Sequence, residues 1–307
     1  MSTSLLSERG FLKRHIGTKK NIAIINGEEA LERAVAVFAQ ATNIVDLKFA
    51  SSLDWTSQSD PFFKPIRLAV SKMSLKRLCL WECGDVDQIL RSQPELEELE
   101  VGWFTSGVEQ LEETDLPKLR CLAAPLHNAA YLVPGRPVEK FCLVLTFGDR
   151  NPFNDEHGFK NLSLSTGPII EFSFHLFDSY EDDSYKDENF RFVLQTISRH
   201  LPQLERLTVI VAGSVSGRVI LEEVPVFGAL RCLTFLDANL TAVTAQKTQH
   251  FQELASDFSQ SDGIIRVVPY LENWDDVFER LKQLCPLLVN TKATPRLFTC
   301  RGSFASR

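Results

Sequence analysis

The sequence predicts an α/β fold in which short parallel strands alternate with helices in a repeating unit. An apolar pattern, L-x-x-L-x-L, occurs at Leu75, Leu78 and Leu80, and it returns in residues 96–101 after a turn and a short helical pattern. Four similar phrases lead into such motifs: QPELEEL, LPKLRCL, LPQLERL and FGALRCL. This spacing is typical of leucine-rich repeats, which bury their apolar faces against neighbouring repeats. We therefore predict a leucine-rich-repeat solenoid, an irregular horseshoe arc with parallel strands on its concave side and helices on its convex side.

The motif can be followed through most of the chain. Successive motifs start 19 to 35 residues apart, and the middle spacings match or approach the roughly 20–29 residues of this repeat class. The position three residues after the motif is commonly Asn or Cys in such repeats, and here only Cys83 fits, so we expect an irregular arc. The predicted core triplets are Ile44/Leu47/Phe49, Leu75/Leu78/Leu80, Leu96/Leu99/Val101, Leu119/Leu122/Ala124, Val138/Phe141/Leu143, Ile169/Phe172/Phe174, Leu204/Leu207/Val209 and Leu230/Leu233/Phe235.

The remaining elements follow from apolar spacing and from helix start and stop signals. The sequence of residues 1–20 predicts a basic flexible tail. This tail is either simply solvated or serves as a localisation signal or as a contact to an anionic surface. One repeat domain spans residues 21–290, interrupted by an acidic insertion at about 178–188 and followed by a C-terminal tail at 291–307. Helices are predicted at 28–41, from Pro65, and at 188–200, 242–258 and 275–284, the last as a C-terminal cap, with a final strand near Ile264 and Val267.

Composition narrows the classes of function. The chain has 307 residues, a net charge of −7 and 44% hydrophobic residues, which argues against disorder and against a general nucleic-acid binder. Its seven cysteines form no C-x-x-C pair, which fits a reducing compartment. It contains no apolar run of 18 residues and no secretory signal pattern in its first 20 residues. We therefore expect a cytoplasmic or nuclear monomer with no membrane span and no nucleic-acid partner.

The residues expected to carry the function are those that point away from the core. In L-x-x-L-x-L the leucines point inward, and alternate strand residues point out to the concave face. Charged and aromatic residues there are the types most often important at protein interfaces, although Trp81 is also consistent with packing under a loop. We expect a protein partner to bind at Arg77, Trp81, Glu98, Glu100, Lys140, Glu171, His175 and Arg206.

The sequence contains no motif of a known catalytic or cofactor site. The H-E-x-x-H, G-x-S-x-G, G-x-G-x-x-G and P-loop patterns are all missing. Cys142 or Cys79 with His175 would make a thiol and a base on one face, but chance pairing explains such a combination more simply. The prediction is a protein that is not an enzyme, with no catalytic residues, cofactor or metal.

The phrase LKRLCLWECGDVDQILRSQPELEELEV, with HLPQLERLTV and GALRCLTFL, resembles the repeat region of F-box-like proteins of mushroom-forming fungi. In that family an N-terminal F-box binds the Skp adaptor of a cullin-RING ubiquitin ligase, and the repeats select the substrate. The resemblance covers roughly residues 40–285 and implies a substrate receptor. Residues 1–43 show neither the Leu-Pro-x-Glu opening nor the Val-Cys-x-x-Trp ending of an F-box. The alternative is a stand-alone intracellular ligand or immune-type receptor without a ligase role.

Overall fold

The computed structural model describes the parts of the chain that carry most of the predicted motifs. They are residues 4–7, 10–14, 20–25, 44–51, 60–81, 84–102, 105–144, 156–176, 183–211, 217–237 and 266–267, with 277, 280, 281, 283–285 and 287 near the C-terminus. The predicted helices at 28–41 and 242–258 lie outside these residues.

One mostly parallel sheet forms the centre of the fold. Its eight central strands are all parallel: β4 (Asp46–Ser51), β5 (Arg77–Trp81), β7 (Glu98–Val101), β9 (Cys121–Ala124), β10 (Lys140–Leu143), β11 (Glu171–Leu176), β12 (Arg206–Val211) and β13 (Cys232–Asp237). Each strand pairs with the one before it in this order, so the described sheet is open and not a closed barrel. A small parallel pair, β6 (Gly84–Asp85) and β8 (Thr105–Ser106), lies apart from it.

Further strands extend both ends of the sheet. At one end β3 (Lys20–Ile25) pairs parallel with β4, and β1 (Ser4–Ser7) and β2 (Gly10–Arg14) continue it in antiparallel fashion. At the other end β14 (Arg266–Val267) pairs parallel with β13, which confirms the short final strand. The prediction of a flexible tail at residues 1–20 is wrong for β1 and β2. The segment Gly10–Arg14 has no apolar alternation, so its pairing with a neighbouring strand could not be predicted from its own residues.

The helices connect successive strands of the sheet. They are α1 (Asp60–Val70), α2 (Asp87–Arg91), α3 (Leu126–Leu132), α4 (Glu156–Leu162), α5 (Asp183–His200) and α6 (Gly217–Glu223). Neighbouring helices contact each other: α1 with α2, α3 with α4, α4 with α5, and α5 with α6. The α/β class and the parallel sheet are therefore as predicted.

Two helices begin earlier than their sequence signals indicate. The helix α1 starts at Asp60 rather than at Pro65, and α5 starts at Asp183 rather than at residue 188. The second half of the predicted acidic insertion is thus the beginning of a helix. Carboxylates in the first turns of a helix interact favourably with its dipole, so this acidic sequence is compatible with helix as well as with a solvated loop.

The register of the sheet follows the predicted motif. The middle apolar residue of each triplet pairs with the middle residue of the next, and every one of them is buried. Because side chains alternate across a strand, this register places these middle residues on one face of the sheet, where they belong to the same buried core as residues of the helices. The aligned residues are Leu47, Leu78, Leu99, Leu122, Phe141, Phe172, Leu207 and Leu233.

Phenylalanine fills the core where the repeats are longest. Phe172 lies 5.5 Å from Phe141, 6.3 Å from Phe159 and 5.9 Å from Phe174, measured between ring centroids. Phe190 of α5 continues the cluster, 6.3 Å from Phe174. All five rings are buried. Rings at these separations contribute beyond their buried area, which helps to stabilise repeats of unequal length.

A buried amide connects two successive repeats near the centre of the sheet. Gln93 Oε1 accepts a hydrogen bond from the Leu75 N–H at 2.9 Å, and Gln93 Nε2 donates to the Val70 carbonyl at 3.1 Å. Asn128 makes a comparable link by donating from Nδ2 to the Gly102 carbonyl at 3.3 Å. Both side chains are buried. These contacts satisfy backbone groups between repeats that would otherwise be buried without a partner.

A buried arginine holds the turns around α3. Arg136 is 1% exposed, and its guanidinium donates to the carbonyl oxygens of Glu112 (2.6 Å), Asp115 (2.8 Å), Tyr131 (2.8 Å) and Pro134 (3.1 Å). Burial lowers the pKa of Arg136, and the nearby carboxylates act in the opposite direction. The guanidinium therefore depends on these hydrogen bonds to offset its loss of hydration.

Part of the predicted C-terminal cap, residues 275–284, lies within the described residues. Leu281 is fully buried in the core, and the Cys285 N–H donates to the Leu281 carbonyl at 2.7 Å. Leu284 is exposed. Leu281 thus belongs to the core, and Val277 of the predicted helix packs against it.

Candidate interaction surface

The strand residues that alternate with the buried triplets lie together on the other side of the sheet. We call this side the polar sheet face and define it by two rows of in-register residues. The first row is Asp46, Arg77, Glu98, Cys121, Lys140, Glu171, Arg206 and Cys232. The second row is Lys48, Cys79, Glu100, Ala123, Cys142, Ser173, Thr208 and Thr234.

All eight residues of the predicted binding surface lie on strands of this sheet. Arg77, Glu98, Lys140, Glu171 and Arg206 belong to the first row, and Glu100 belongs to the second. Trp81 and His175 lie further along β5 and β11, where they pair with Ala50 and Ile210.

Charges of opposite sign neighbour each other along the first row. Arg77 Nη2 lies 3.0 Å from Asp46 Oδ2, and Lys140 Nζ lies 3.1 Å from Glu171 Oε2. Arg206 Nη1 approaches the same Glu171 oxygen at 3.7 Å. Opposite charges on adjacent strands contribute a few tenths to one kcal/mol each, so these pairs support the strand register while part of each cation stays exposed.

Glu171 is a partly buried carboxylate that lies close to two cations of this group. Its Oε2 is buried and makes no well-aligned hydrogen bond within the described part of the chain, although two cations lie within 4 Å. The interaction with Lys140 and Arg206 is therefore mainly charge attraction. Removing either cation would leave the carboxylate with less compensation, which is costly for an enclosed group.

Glu98 and Glu100 differ although they lie two residues apart on β7. Glu98 is exposed and has no ion pair among the described residues, whereas Glu100 is only 8% exposed. An exposed charge without an internal partner can interact with another molecule at little cost to the fold. Glu98 is thus the more accessible of the two predicted contact residues.

Two thiols of the polar sheet face are poorly disposed to react. Burial raises the pKa of Cys121 to about 11, and the Glu98 carboxylate acts in the same direction. Burial also raises the pKa of Cys142 to about 11, against the effect of a hydrogen bond with Ser173. Because the thiolate is the reactive form, both side chains are almost entirely neutral thiols at pH 7. The pairing of Cys142 with a histidine base gains no support from this environment.

Residues that sequence reasoning left out also contribute to this face. Asp46 is not among the predicted binding residues, and it is the carboxylate that forms an ion pair with Arg77. The signal was present, since Asp46 precedes Leu47 as Arg77 precedes Leu78. The second row also contains three short side chains, Ala123, Ser173 and Thr208. They project less far from the sheet than the longer charged side chains of the first row.

The described residues indicate neither a metal centre nor a membrane span. No three His, Cys, Asp or Glu side chains among them are grouped to hold a metal ion. No described helix combines the length and apolar character that crossing a membrane requires. Comparison of the chain with protein-family models and with curated proteins found no match.

Proposed function

We propose that this chain is an irregular leucine-rich-repeat solenoid that binds a protein partner on its polar sheet face and catalyses no reaction. The observation that carries the proposal is the register of eight parallel strands. Each strand buries the middle residue of its motif and places the same two alternating positions on the opposite face of the sheet. An array of this kind offers an extended surface rather than a closed pocket, and extended surfaces suit macromolecular partners.

The chemistry of the face supports a protein partner. Its first row carries cations and carboxylates in alternation, and several keep substantial exposure: the side chains of Arg77, Lys140 and Arg206 are 43%, 36% and 29% exposed. Mixed charge of this kind favours a specific, complementary protein surface over a uniformly charged polymer. The neutral thiols at Cys121 and Cys142 add small uncharged contacts between the charged residues.

Glu98→Lys provides the sharpest test of this surface. Glu98 is exposed and forms no ion pair among the described residues, and it pairs in register with Arg77, so the new lysine would lie opposite a cation on the adjacent strand. Glu109→Lys is the matched control, because Glu109 is equally an exposed carboxylate but lies in the 3-10 turn Val108–Gln110, which contacts α3 on the helical side. Circular dichroism should show the same fold for both variants, with a loss of stability of at most about 1 kcal/mol for Glu98→Lys.

The binding experiment uses the full chain immobilised as bait in a lysate of its source cells, with quantitative mass spectrometry of captured proteins. We expect a specific partner to be retained by the wild type and by Glu109→Lys, and to bind Glu98→Lys about tenfold more weakly, equivalent to ~1.4 kcal/mol. Trp81→Ala and Arg206→Ala should weaken capture as well. If all three polar-face variants retain the same partners with wild-type affinity, this face is not the binding surface.

The identity of the complex is a separate proposal that rests on the sequence resemblance. As an F-box-like substrate receptor the chain would bind a Skp-type adaptor through a region other than the polar sheet face. As a stand-alone receptor it would not bind the adaptor at all. Co-purification with the adaptor distinguishes the two. If Glu98→Lys weakens partner binding and leaves adaptor binding unchanged, the adaptor and the partner bind at different surfaces.

A further inference from the structure

We draw no further inference here: the strongest candidate, the Lys140–Glu171–Arg206 charge cluster at the start of strands β10 to β12, belongs to the polar sheet face already proposed as the binding surface, and nothing among the described residues shows what covers it.

Discussion

Replacing Arg136 tests whether a single buried side chain holds the turns around α3. The guanidinium donates four hydrogen bonds of 2.6 to 3.1 Å to backbone carbonyls, two before β9 and two at the end of α3. Arg136→Ala removes all four donors. It leaves the carbonyl oxygens of Glu112, Asp115, Tyr131 and Pro134 to find water or remain unpaired.

The size of the effect follows from two opposing contributions. Hydrogen bonds from a charged donor contribute about 1.5–3 kcal/mol each, but they are not additive. Against them stands the cost of burying the guanidinium, several kcal/mol, which the variant no longer bears. Each buried carbonyl oxygen left without a partner costs about 1–3 kcal/mol, and less where water can reach it. We expect Arg136→Ala to lower the free energy of unfolding by about 4 kcal/mol and the melting temperature by roughly 10 °C.

Urea denaturation followed by far-ultraviolet circular dichroism measures this change. Arg136→Lys should lose nearly as much, because a compact ammonium with three donors cannot reach four carbonyls arranged around a planar fork. The control is Arg120→Ala, an exposed arginine, for which a change within about 0.5 kcal/mol is expected. A loss below about 1 kcal/mol for Arg136→Ala, or wild-type stability for Arg136→Lys, would refute the reasoning.

Three further predictions concern the core and the thiols. Gln93→Leu removes the amide link between repeats and should lower the free energy of unfolding by ~1–3 kcal/mol. The control Gln88→Leu, on the exposed side of α2, should change the free energy of unfolding little in the same urea titration. Phe172→Ala opens a cavity among three rings and should lower the free energy of unfolding by about 3–5 kcal/mol. The control Phe192→Ala, at a partly exposed position, should lower it clearly less. Equal losses for the two variants would contradict the packing described. Cys142 has a pKa of about 11 against an ordinary 9.0. At pH 8 it should therefore react with iodoacetamide about 100-fold more slowly than the same thiol in the urea-unfolded chain, as quantified by mass spectrometry. A difference under tenfold would contradict the raised pKa. Because the folded state holds this proton more tightly than the unfolded state, the thiol's contribution to stability is full below pH 9 and is lost as the pH rises towards 11.

The binding surface was only partly predictable from the sequence. Alternation along a strand indicates which residues point outward, and Arg77, Glu98 and Lys140 were identified in this way. Exposure was not predictable, since Glu98 and Glu100 have the same residue type on the same face, yet only Glu98 is accessible. Accessibility depends on which side chains stand beside each carboxylate on neighbouring strands, and those neighbours come from other repeats.

The extent of regular structure at the N-terminus was missed for a similar reason. The first 20 residues lack a strong apolar period, so local signals predicted a tail. Strand β1 nevertheless pairs with β2, and β2 pairs with β3 at the end of the sheet. A sheet edge provides hydrogen-bond partners for any extended segment that reaches it, and a segment's own sequence does not reveal that edge.

The sequence by itself determined the repeating α/β arrangement, because burial of apolar side chains follows a local period that can be read along one strand. It located the buried triplets from Ile44 to Leu233 and the proline or glycine turns that precede several strands. Only the tertiary structure decided the polar contacts: Arg77 with Asp46, Glu171 between Lys140 and Arg206, and Arg136 with four carbonyl oxygens. Those contacts join residues from different repeats or turns, and their geometry depends on strand register and side-chain rotamers, which no local pattern specifies.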